Sequence, residues 1–94
     1  MDIEFVSLDQ AELPDAFSVT FDVIYAGETW CRSVVMLETA VAAGLAFEGQ
    51  AVTAVARDAL LELLMGEAGP VSFHLRLTTE GTTVLGRGTP GGTR

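Results

Sequence analysis

Residues 17–25 read Phe-Ser-Val-Thr-Phe-Asp-Val-Ile-Tyr. Phe17, Val19, Phe21, Val23 and Tyr25 alternate with Ser18, Thr20, Asp22 and Ile24. That period of two predicts a strand with one buried face. Ala26-Gly27-Glu28-Thr29 supplies a turn, with Gly27 free to take positive φ, and residues 30–37 predict the returning strand. With Gly27-Glu28 as the two loop residues, Tyr25 faces Trp30, Val23 faces Arg32, Phe21 faces Val34 and Val19 faces Met36. All eight lie on one side of the sheet, which is then apolar and aromatic apart from Arg32. The other side pairs Ile24 with Cys31, Asp22 with Ser33 and Thr20 with Val35. Arg32, near the open turn, is expected to lie over Tyr25 or Trp30 and reach water.

Residues 3–8 alternate weakly and predict a short strand. Residues 9–15 are polar, contain Pro14 and read as a connection. Residues 38–43 are Ala-rich and predict a short helix stopped by Gly44. The main helix is expected over 50–65, ending at Gly66. At about 100° per residue, Val52, Val55, Ala56, Ala59, Leu60 and Leu63 form one apolar stripe that covers the hairpin. After a turn at 67–70, Val71, Phe73, Leu75 and Leu77 alternate with Ser72, His74, Arg76 and Thr78, another half-buried strand. Glu80-Gly81 is a turn, and 82–85 returns as an edge strand.

The order β-β-β-α-α-β-β predicts an α+β fold. Its antiparallel sheet has four to five strands, with one long and one short helix packed on one face. Residues 1–86 are expected to form a single domain, and the Gly/Pro-rich residues 87–94 a flexible tail. The predicted core is Phe17, Val19, Phe21, Val23, Tyr25, Trp30, Val34, Val55, Leu60, Leu63, Phe73 and Leu75.

With 94 residues, 49% of them apolar, the chain can bury a thin core and is not disordered in bulk. Its net charge of −8 removes a basic nucleic-acid footprint and disfavours an anionic membrane surface. Asp2, Glu4, Asp9, Glu12, Asp15, Asp22 and Glu28 all precede the first basic residue, Arg32, and there is no Lys. This excess reads either as a solubilising coat or as a negative patch that meets a basic partner. The single Cys31 forms no internal disulfide, which fits a reducing cytoplasm. Residues 1–4 lack the basic start of a signal peptide. No apolar run approaches membrane-spanning length.

Candidate chemistry is sparse. One His and one Cys do not make a Cys/His zinc site, and neither a phosphate-binding glycine loop nor a nucleophile elbow is present. No cofactor and no metal is expected. Cys31 and His74 are the one nucleophilic combination. Both are expected on the sheet side away from the helices, where a small surface offers little cleft and a half-buried thiol beside a solvated imidazole is the plainer reading. Asp22, opposite Ser33, reads as a solvated strand carboxylate. Trp30 and Tyr25 read as core.

The main helix is apolar on more than one side. Leu61 and Met65 project opposite the core stripe and Leu64 lies on its flank, interleaved with Arg57 and Asp58. A thin two-layer domain has no second cover for them. The expectation is a non-catalytic protein-interaction module that pairs with a second copy or another protein through Leu61, Leu64, Met65, Arg57 and Asp58. The alternative is an acidic inhibitor or immunity-type protein that blocks a basic or nucleic-acid-binding site. A small ligand-binding domain or enzyme built on Cys31 and His74 is the third reading.

Overall fold

A computed structural model describes residues 1–10, 16–27 and 29–89. The elements run β1 (Asp2–Gln10), β2 (Ala16–Tyr25), β3 (Thr29–Glu38), α1 (Thr39–Phe47), α2 (Val52–Leu64), β4 (Ser72–Thr78) and β5 (Gly81–Gly88). The fold is α+β in the order read from the sequence, with five strands in the spatial order β1-β2-β3-β4-β5. The sheet is mixed, not wholly antiparallel, because β3 and β4 run parallel. Parallel neighbours need a crossover, and α1 and α2, bent 114° to each other, supply it. Asp9 and Gln10, assigned to the connection over 9–15, belong to β1; residues 11–15 of that connection and the end of the tail, residues 90–94, lie outside the described residues. Arg87 and Gly88, assigned to that tail, belong to β5.

The β2–β3 hairpin differs from expectation by one residue. Tyr25 pairs with Thr29, Ile24 with Trp30, Val23 with Cys31, Asp22 with Arg32, Phe21 with Ser33 and Val19 with Val35. Ala26 and Gly27 both take positive φ, 55° and 76°, so the turn begins one residue earlier than a Gly27-Glu28 loop. A one-residue slip moves every β3 side chain to the other face. Cys31, Ser33, Val35 and Leu37 therefore lie under the helices, while Trp30 and Val34 leave the predicted core. The winning register also keeps the Arg32 guanidinium out of the apolar layer, where an unpaired charge is costly.

The core joins Val19, Phe21 and Val23 of β2, Val35 and Leu37 of β3, Val71, and Phe73, Leu75 and Leu77 of β4 to Ala56, Leu60 and Leu64 of α2. Val41 and Leu45 of α1 and Val55, Ala59 and Leu63 of α2 pack against it. Each fully buried aliphatic side chain contributes roughly 1.5–3 kcal/mol. α1 runs past Gly44, the expected stop, to Phe47. It ends at Gly49, whose φ of 75° suits a residue without Cβ. There Gly49 N–H donates to Ala46 O at 3.1 Å and Gln50 N–H to Leu45 O at 2.8 Å, closing the helix end with a paired reverse turn.

One buried polar side chain holds the parallel junction. Ser33 is fully buried. Its Oγ accepts the Phe73 N–H at 2.9 Å, one residue before the β3–β4 ladder begins at Val34 and His74. Ser33→Ala leaves that buried donor without a partner, which costs about 1–3 kcal/mol. Urea unfolding should show the midpoint falling at unchanged slope; an unchanged midpoint removes this hydrogen bond from the account of the parallel junction.

Candidate functional site

The register decides where the reactive side chains go. Cys31 pairs with Val23 and lies buried beneath the helices. His74 pairs with Val34 and is exposed on the opposite, helix-free face, with its Nε2 3.3 Å from Met36 Sδ. The expected placement of Cys31 on the helix-free face is therefore corrected. The sheet separates them, and no proton passes directly between imidazole and thiol. Burial also pushes the Cys31 thiol up, away from the thiolate that nucleophilic attack needs. Among the described residues, no three His, Cys, Asp or Glu side chains gather closely enough to hold a metal ion.

Asp22 faces Arg32, not Ser33. Arg32 Nε donates to Oδ1 at 3.0 Å and its terminal nitrogen to Oδ2 at 3.2 Å, a two-pronged pair on the helix-free face. Arg76 donates to Glu38 at 2.9 Å on the same face. Trp30 stands there with 58% of its surface exposed, so it is not a core residue. Tyr25 stays on the helix side, where its hydroxyl donates to Val71 O at 3.2 Å and accepts Val71 N–H at 3.4 Å. Burial pushes its phenol up, the Val71 N–H opposes that, and Cys31 and Glu67 add to it.

On α2 the predicted surface divides. Leu64 is buried and belongs to the core, correcting its place in the interface. The buried line is Ala56, Leu60 and Leu64, spaced by four. This rotates the stripe toward Leu64 and leaves Leu63 half-buried on the flank. Leu61 is half-buried, Arg57 and Asp58 are exposed, and Met65 is 73% exposed. Asp58, Leu61, Glu62 and Met65 line a shallow open hollow of about 340 Å³.

The edge strands hold features that the sequence reading missed. In β1, Ile3 pairs with Val23, Phe5 with Phe21 and Leu8 with Val19, all on the helix side. Asp2, Glu4, Ser7 and Asp9 pair with Ile24, Asp22, Thr20 and Ser18 on the other side. A bulge between Phe5 and Ser7 makes this sorting possible. Without it, Leu8 would share the face of Glu4. The signal was present: two adjacent apolar residues, Phe5 and Val6, interrupt an otherwise alternating run. β5 carries a matching irregularity between Gly86 and Val84, beside the exposed Val84 and Leu85. Arg87, on the helix side opposite Phe73, pairs with Glu67 and holds that carboxyl below its ordinary range.

Comparison with protein-family models, with curated proteins and with solved structures finds no match for this chain.

Two outcomes follow from the buried groups. Cys31 should react with a disulfide reagent at pH 8 only as fast as the protein opens, and His74→Ala should leave that rate unchanged; fast labelling of the native state contradicts the buried placement. The raised Tyr25 phenol favours folding below the ordinary tyrosine value of 10.0, and this contribution is lost as pH rises through the folded value. Stability should therefore fall in alkali above about pH 10, and Tyr25→Phe should flatten that fall in pH-dependent urea titrations.

Proposed function

We propose that the chain is a non-catalytic protein-interaction module that self-associates through the outer face of α2. The observation that carries this reading is Met65, 73% exposed on a helix whose opposite side is core. Beside it lie the half-buried Leu61 and the open hollow bounded by Asp58 and Glu62. An apolar thioether on a packed helix gains by docking, and a two-fold partner offers the same patch in return.

The sequence of α2 suits a two-fold antiparallel pair. Centred level with Ala59 and Leu60, such a pairing sets Met65 of one copy over the small Ala54 of the other. Arg57 and Glu62, five residues apart and about 140° around the helix, lie on opposite flanks of that face and leave its centre to Leu61 and Met65. The proposed setting is the cytoplasm, where a single buried thiol stays reduced. Among the described residues no single helix is long and apolar enough to cross a membrane.

Light scattering coupled to gel filtration should give twice the chain mass for the native protein. Leu61→Glu/Met65→Glu should give the single mass with an unchanged circular dichroism spectrum. A native protein that stays at single mass up to about 1 mM, where even weak self-affinity shows, overturns this reading.

A further inference from the structure

The geometry points to the open edge of β1 as a docking site for an extended segment of a basic protein partner, one in which Lys or Arg alternates with apolar residues. This goes beyond self-association and uses a different surface.

Among the described residues β1 is an outer strand, hydrogen-bonded to β2 alone. Its other side presents unpaired backbone N–H and C=O groups, which accept an added strand. Along the helix side of that edge, Phe5 is 54% exposed and Leu8 46%, with Val6 at the bulge 40% exposed. Phe5 is held edge-on to Phe21, ring centroids 6.4 Å apart, so it is a fixed apolar shelf rather than a loose side chain. The opposite side of the same strand carries Asp2, Glu4 and Asp9, all exposed. In an added strand, successive side chains point to alternate faces. One set therefore lies on Phe5 and Leu8, and the other lies beside three carboxylates.

Charge selects among possible occupants. A second copy's β1 would set acid against acid on the same face, and like charges directly across a ladder destabilise it. A second copy's β5 offers Gly81, Thr83, Gly86 and Gly88 on that face, with no cation to answer the carboxylates. An incoming segment that alternates Lys or Arg with Val, Ile or Leu satisfies the backbone edge, the apolar shelf and the acidic row together.

The test uses the full chain and a capped peptide of about eight residues alternating Lys and Val, matched to the strand length. One control has the same composition with the Lys and Val in separate blocks; another alternates Glu and Val. Calorimetry should show binding of the alternating basic peptide only, weakening as salt rises from about 0.05 M to about 0.5 M. Amide exchange should slow in residues 2–10 and stay unchanged in α2 and β5. Glu4→Lys/Asp9→Lys, two exposed changes, should lower affinity at least about tenfold with the fold intact. Leu61→Glu/Met65→Glu should leave peptide affinity unchanged, which separates this site from the α2 surface. Equal binding of the block peptide, protection outside β1, growth of filaments by edge pairing of the chain with itself, or no binding at about 1 mM peptide each overturns the inference.

Discussion

The pairing of Phe21 with Ser33 and Val23 with Cys31 decides which side of β3 lies beneath the helices, and most of the molecule follows from it. In this register Val35 and Leu37 join the core. Ser33 reaches the Phe73 N–H where β4 begins, and Arg32 points to the open face and meets Asp22. In the alternative register Trp30, Arg32, Val34 and Met36 would lie under α1 and α2. That arrangement buries a guanidinium and removes the hydroxyl from the parallel junction. The turn favours the same outcome locally, because Ala26 and Gly27 both adopt positive φ and begin the reversal directly after Tyr25.

The element order and the α+β class were legible because each strand and helix had its own periodicity. β2 alternates over nine residues, and α2 repeats apolar positions every three to four. Strand direction was not legible. Nothing in residues 71–78 distinguishes a strand parallel to β3 from one antiparallel to it; the direction comes from the distance that α1 and α2 carry the chain back. The hairpin register was not legible for a different reason. Both parities of β3 are largely apolar, so its pattern agrees with either face. The α2 stripe was displaced because Leu60, Leu61, Leu63 and Leu64 spread over an arc of about 160°, wider than the line that reaches full burial. The sheet beneath, rather than the helix's own pattern, selects Leu60 and Leu64 for full burial.

The surplus of apolar side chains is real, but much of it lies elsewhere than on the main helix. Thirteen residues of α2 at a rise of 1.5 Å span about 20 Å, and nine of α1 about 14 Å. Ten strand residues at about 3.3 Å span roughly 33 Å. Two such helices, bent sharply to each other, cannot cover the whole of one face. Apart from Trp30 on the open face of β3, the large uncovered apolar side chains of the elements accordingly fall on the outer strands and at the helix ends: Phe5, Val6 and Leu8, Val84 and Leu85, Phe47 and Met65. A thin domain of this shape leaves several separate patches rather than one, and each must be judged by the charges around it.

Those charges separate the patches by the occupant they admit. On α2 the surface proposed for a second copy is bordered by charge of both signs, Arg57 with Asp58 and Glu62. On β1 the face beside Phe5 and Leu8 holds acid without a neighbouring cation in the same strand, so it repels its own image. An outer strand with free backbone groups would otherwise template unlimited edge pairing. The acidic row opposes that for a second copy of the same strand, and the same row is complementary to a strand of opposite charge. Selectivity of this kind comes as much from the occupant refused as from the one accepted. The two proposed surfaces therefore call for different occupants, because the charge of both signs that borders the α2 surface is missing at β1.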